Sequence, residues 1–288
     1  MSDRNQTEDA DGDAKLDETR RDHPSGIIEE MTVEDVERLE PEVVVVGFGS
    51  TEPHGPHLPY GTDVFQTKAV CRRAVERANE EGARVLKYPT LPIGNNVNFK
   101  VFPFACRIGV RTLIDIALDV IEALEEEGVR KILFVNGHGG NPAALRAALR
   151  EHADRHPPGE GAFVCLTSTT DAIPDEVEAE LGHPSVHAGE SETSRMLHLR
   201  EDLVREDEFD DFEIREPTID ALEGDQLYFV PRWDAYHPEI AGGETRESSA
   251  EKGEALVDGA ADWLAEFLVE LDAAEVDELF PYGSGAGD

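Results

Sequence analysis

Cysteine is scarce in this chain, at 3 of 288 residues, and Cys71, Cys106 and Cys165 stand alone rather than in CxxC pairs. An odd, scattered set argues against a disulfide framework and a thiolate zinc site, and it suits a reducing, cytoplasmic setting. Basic charge is short as well. Against 63 Asp and Glu there are only 26 Lys and Arg, for a formal net charge of −37. Nucleic-acid affinity draws on basic patches, so no nucleic-acid partner is expected. No apolar run reaches the roughly 18–20 residues of a membrane span, so no membrane partner is expected either. The opening stretch MSDRNQTEDADGDAKLDETRRDHP lacks an apolar core and does not read as a signal peptide.

The acidity is spread over helix patterns and loops, while apolar segments suitable for a core remain, so the chain reads as folded rather than disordered. An acid-rich, Lys-poor surface resembles that of proteins from salt-loving organisms, in which salt screens self-repulsion. Residues 1–24 read as a disordered acidic tail, 25–275 as one domain and 276–288 as a flexible C-terminal tail.

Within the domain, 42–50 (EVVVVGFGS) and 131–135 (KILFV) are short apolar runs of the kind buried in parallel sheets, and 84–91 and 162–166 (AFVCL) read as further strands. Helix patterns lie between and after them, at 62–82, 111–128, 142–156, 190–199 and 249–270. Asn141 is expected to cap the third of these and Pro142 to open it. Alternating strands and helices predict an α/β fold, three layers deep, with a mostly parallel sheet. Residues 201–225 read as a surface excursion. Ligands of such sheets bind beyond the carboxyl ends of the strands.

Three segments there carry chemistry. In 50-STEPHGPHLPYGTD-63, Glu52, His54, His57 and Asp63 fall within twelve residues. Extended positions i and i+2 point the same way, and mixed carboxylate and imidazole suits Zn, Mn or Fe(II). In 136-NGHGGN-141, His138 follows a buried strand on a loop whose glycines permit close backbone approach. In 187-HAGESETS-194, His187, Glu190 and Glu192 precede or open a helix, where carboxylates could equally serve only to complement the dipole. Other features read as ordinary structure. Gly47-Phe48-Gly49 lacks the third glycine of a dinucleotide loop, and Ser50 is not in GxSxG. Cys71 and Cys165 read as buried small residues. His152, His156, His183, His198 and His237 read as surface or packing histidines, and Glu125–Glu127 as a solvated face.

GSTEPHGPHLPYGTD, FVNGHGGN and HAGESETS in this order, with SSAEKG near the end, resemble the creatininase (creatinine amidohydrolase) family over roughly residues 27–270. The resemblance implies an α/β protein, commonly hexameric, that binds two divalent metals and hydrolyses a C–N bond of a small amide. Matched position by position, Glu52, Asp63 and His138 would hold one metal. His54 and Asp63 would hold the other, with Asp63 bridging, and His187 and Glu192 would be catalytic. Creatininase itself has a metal-binding Glu where this chain has Gly140. Glu190 is the first candidate to replace it and Glu192 the second. Creatininase also has a Tyr at Gly139 and aromatic and acidic contacts where this chain reads 183-HPSV-186, so creatinine is not the expected substrate. Relatives with the NGHGGN form include a formamide hydrolase acting on a pyrimidine nucleotide and a peptidase of the mycofactocin pathway. The expected activity is metal-dependent amide hydrolysis by a homo-oligomer. The alternative is a metal-binding family member without turnover, acting as a pathway partner.

Overall fold

The computed structural model describes residues 25–157, 160–182, 186–222 and 227–279. The expected tail at 1–24, residues 280–288 and His183, Pro184 and Ser185 lie outside the described residues. In chain order the regular elements are α1 (Val33–Leu39), β1 (Val43–Phe48), α2 (Thr62–Glu80), β2 (Val85–Leu91), α3 (Val110–Glu126), β3 (Lys131–Asn136), α4 (Pro142–Arg155), β4 (Phe163–Ser168), α5 (Asp175–Glu178) and α6 (Glu190–Arg200). They continue with β5 (Asp211–Phe212), α7 (Trp233–Tyr236), β6 (Gly243–Glu244), α8 (Ala250–Ala273) and α9 (Val276–Leu279). The turn α9 falls at the start of the stretch expected to be a tail.

β1 to β4 form one parallel sheet in the order β2-β1-β3-β4, with Val43–Phe48 in register against Lys131–Asn136. Parallel strands bury both faces, which is why β1 and β3 read as continuous apolar runs. Val43, Val45, Leu133 and Val135 face one way, into a core closed by α2 and α8. Val44, Val46, Phe48, Ile132 and Phe134 face the other, against α3 and α4. Each such side chain contributes roughly 1.5–3 kcal/mol on burial. The apolar spacing of α3 (Leu113, Ala117, Leu118, Ile121, Leu124) supplies the stripe that covers the second face. Gly128 (φ 85°) stops the chain after α3, in the left-handed region where a glycine is unstrained.

The expected excursion after α6 contains short 3-10 turns and β5, which pairs antiparallel with β6. Cys71 is fully buried and Cys165 packs against the same core; burial pushes both thiols up to about 12, so neither is reactive at neutral pH. Two expectations need correction. Asn141 makes no side-chain cap on α4. Its carboxamide instead accepts from Asn95 N (3.0 Å) and donates to Gly49 O (3.3 Å) and Asn136 Oδ1 (3.2 Å), tying together the ends of β1, β2 and β3. The 125–127 run is not uniformly solvated, because Glu125 turns inward to His152.

Candidate metal centre and active site

All four sheet strands end at one edge, and the three chemistry-bearing segments gather there. The loop after β1 carries Glu52 and His54, and Asp63 sits in the first turn of α2. The loop after β3 supplies His138, and the approach to α6 supplies His187 and Glu192. Glu52, His54, Asp63 and His138 are all at least 95% buried.

The carboxylates interlock with the imidazoles. His138 Nδ1 lies 2.9 Å from Glu52 Oε2 and 3.3 Å from Asp63 Oδ2. His54 Nε2 lies 3.1 Å from Asp63 Oδ1 and 3.5 Å from Glu192 Oε2. Thus Glu52, Asp63 and His138 form one compact triad, and His54, Asp63 and Glu192 form another. Asp63 belongs to both, with one oxygen turned to each. His187 adds its Nδ1 at 3.8 Å from Glu52 Oε1.

Each of these three imidazoles is fixed from behind. His54 Nδ1 meets Glu52 O at 3.0 Å, His138 Nε2 meets Asn95 O at 3.1 Å, and His187 Nε2 meets Pro53 O at 3.0 Å. A backbone carbonyl only accepts, so the facing nitrogen donates, and the other nitrogen points at the carboxylates. This is how metal-binding histidines are held. Glu52 Oε2 and Asp63 Oδ2 are buried yet accept no hydrogen bond. Such orphans are costly unless a cation meets them, so the donor set fits divalent metal.

The electrostatics agree. Burial and then the Asp63 charge hold the Glu52 carboxyl above its usual range, although His138 pulls the other way. Burial opposes charge on His54 and His138, but without metal the carboxylates overcome it and lift His54 to about 10 and His138 well above normal, so each holds a proton where a divalent cation would displace it. His187 goes the other way. Burial first, and His54 second, push it down to about 3, so it is a neutral base at physiological pH. Ala188 sits at φ 53°, and this left-handed turn aims its N–H at Glu192 Oε2 (2.7 Å).

Glu190 is not brought to the cluster. It is buried on the other side of α6, with Oε1 2.5 Å from Lys252 Nζ. His57 is also turned away: Nε2 meets Thr193 Oγ1 at 2.9 Å, and the ring stacks on Phe212. Gly140 explains the missing carboxylate after His138. A Cβ there would come within 2.1 Å of Asn95 O and 2.4 Å of His138 Nε2, so no larger residue fits.

The cluster floors a cavity of about 750 Å³ lined by Asn95, Phe99, Asp171, Glu178, His187 and Trp233, among others. Phe99 and Trp233 lie 5.1 and 5.0 Å from the His187 ring. Reasoning from sequence missed both, and missed Asn95. The string 94-GNNVNF-99, polar and glycine-led after an apolar strand, is the signal that could have drawn attention to that loop.

A family profile described as creatininase, creatinine amidohydrolase, matches residues 29–268. The mycofactocin precursor peptide peptidase of Mycolicibacterium smegmatis is 34% identical over 169 residues, 58% of this chain. The chain thus spans 61% of that relative's length. A solved Bacteroides fragilis protein described as a creatinine amidohydrolase aligns with TM-score 0.78 and 27% identity, over 86% of this chain and 97% of that one. The manganese form of creatininase aligns with TM-score 0.72 and 26% identity, over 86% and 99%.

Proposed function

This chain belongs to the creatininase family, and on that premise we propose that it hydrolyses the C–N bond of a formamide or peptide-type amide with divalent metal at the cluster. One observation carries the reading: three imidazoles, each anchored to a carbonyl through one nitrogen, turn the other to carboxylates with orphaned oxygens. Glu52, Asp63 and His138 would hold one ion, and His54, Asp63 and Glu192 the other. Glu192 is therefore assigned as a ligand in place of Glu190. Divalent metal there, whether Zn, Mn or Fe(II), would supply Lewis acidity and lower the pKa of the attacking water.

The chain's own groups do the rest. His187, neutral and held through Nε2–H, takes a proton on Nδ1 and returns it to the leaving nitrogen, so amide and water become acid and amine. Phe99 and Trp233 limit its motion and exclude water on one side. The cavity is roomier than a single small ring needs, and Gly139 leaves open space where a side chain would contact creatinine. The similarity to a peptide peptidase supports a peptide amide in preference.

The test is turnover of formamide, peptide-amide and creatinine substrates by chelator-treated protein reloaded with Zn, Mn or Fe(II). Hydrolysis of an amide with negligible creatinine turnover is expected. Full metal loading without turnover of any amide would support the non-catalytic alternative. Efficient creatinine turnover would overturn the substrate assignment.

A further inference from the structure

A second group of ligand-type side chains lies at the other edge of the sheet, away from the carboxyl ends. Glu125 comes from the last turn of α3, and His152 and His156 from the end of α4. Ala162, just ahead of β4, completes the surroundings. His156 follows the last residue of α4, one turn beyond His152, and the two rings lie 4.5 Å apart. His152 Nε2 lies 3.0 Å from Glu125 Oε1, and His156 Nε2 lies 3.7 Å from Glu125 Oε2. We propose that Glu125, His152 and His156 form a second divalent-metal site, for a borderline transition cation such as Zn2+, that clamps α3 to α4.

The spacing suits that ion. Ligand atoms held about 2.0–2.1 Å from a tetrahedral zinc stand roughly 3.3 Å apart, close to the 3.0 and 3.7 Å by which the two imidazole nitrogens are separated from one or the other oxygen of Glu125. Nitrogen with one carboxylate is a borderline donor set that favours Zn2+ over Mg2+ or Ca2+.

The ligands are also held from behind. His156 Nδ1 meets His152 O at 2.9 Å, which fixes its donor there and leaves Nε2 as the free nitrogen. Glu125 Oε1 accepts from Ala162 N at 2.6 Å. Arg130 donates to Gly161 O at 3.2 Å and steadies that turn. Gly161 leaves the room required, since a Cβ there would come 2.9 Å from His156 Cγ and 3.1 Å from His152 Cε1. A plain ion pair between helices explains His152 with Glu125. It does not explain why His156 turns a second nitrogen to the remaining carboxylate oxygen.

The site shares no residue with the catalytic cluster, so it stands or falls separately from the proposed activity. Chelator-treated wild type and His156→Gln, both in full length, are compared for Zn2+ bound per chain by equilibrium dialysis. The wild type should bind one more Zn2+ than the variant. Affinity at this site should drop by more than the 10–100-fold seen when only a supporting partner of a ligand is lost. Glu125→Gln keeps an acceptor for Ala162 N and should lose the same ion. In an Asp63→Asn background, Zn2+ should still raise the melting temperature, and adding His156→Gln should abolish the rise. Equal Zn2+ counts in wild type and His156→Gln would overturn the proposal and leave a helix-to-helix ion pair only.

Discussion

Glu190 and Glu192 stand two residues apart at the start of α6, yet they face different chemistry. Positions i and i+2 on a helix are about 200° apart, so both cannot reach one site. Glu192 turns to His54 and the cluster, where buried oxygens are left without hydrogen bonds. Glu190 turns to Lys252 at the start of α8, where its charge is matched. One side of the helix faces the unsatisfied oxygens of Glu52 and Asp63, poised for a ligand, and the other carries a satisfied pair that joins α6 to α8. Unsatisfied groups in a folded protein mark function, and satisfied ones mark stability.

Substitutions on the two sides should therefore separate activity from stability. Asp63→Asn is expected to have the largest effect, because Asp63 turns an oxygen to each triad. Its neutral amide should remove most metal from both positions and abolish hydrolysis, with the fold retained. Elemental analysis checks this, and full metal content would break the bridging assignment. Next comes His187→Gln, which should keep metal content and lose about 10²–10⁴ in rate, the range for a proton-transfer group. A fall in metal content there would make His187 a ligand instead.

The two glutamates sharpen the contrast directly. Glu192→Gln should lower occupancy at one metal position with little loss of stability. Glu190→Gln should leave metal content unchanged and cost about 1–3 kcal/mol in urea unfolding, because it breaks a charged pair buried on one side. Adding Lys252→Met to Glu190→Gln should cost less than the sum of the two single changes. Metal loss in Glu190→Gln without loss in Glu192→Gln would reverse the assignment.

The same helix marks where the sequence was legible. β1 and β3 are continuous apolar runs, and the loops after them bring their ligand residues within a few positions of each other, so strands and ligands could be read together. α6 buries Glu190, Ser191, Thr193, Ser194 and Arg195, so apolar periodicity says nothing about its faces. The helical spacing of Glu190 and Glu192 implies that only one reaches the cluster. Choosing between them requires the position of Lys252, which is far along the chain. Trp233 is unreadable for a similar reason, since it reaches His187 only through the path of a long loop. His152 and His156 read as ordinary surface or packing residues until Glu125 is seen to turn toward them from another helix.

The smallest expected effect concerns His57, which meets the helix through Thr193 and takes no part in either triad. Burial pushes it down to about 4, helped by the neighbouring His54 and opposed by the Ala188 backbone, against about 6.5 in an unfolded chain. Above pH 6.5 neither state is protonated, and His57 gives no pH dependence. As pH falls from about 6.5 toward 4, the unfolded chain binds a proton that the fold refuses, so stability falls. Below about 4 both states are protonated and the loss levels off, at roughly 3 kcal/mol at most. Metal occupancy also changes over this range, because protons compete for the ligands, so chelator-treated protein is the material to use. Urea midpoints measured at pH 7 and pH 5 should move less in His57→Gln than in the wild type. Equal movement in both would mean that His57 is not held neutral in the fold, and that Thr193 tethers it without excluding its proton.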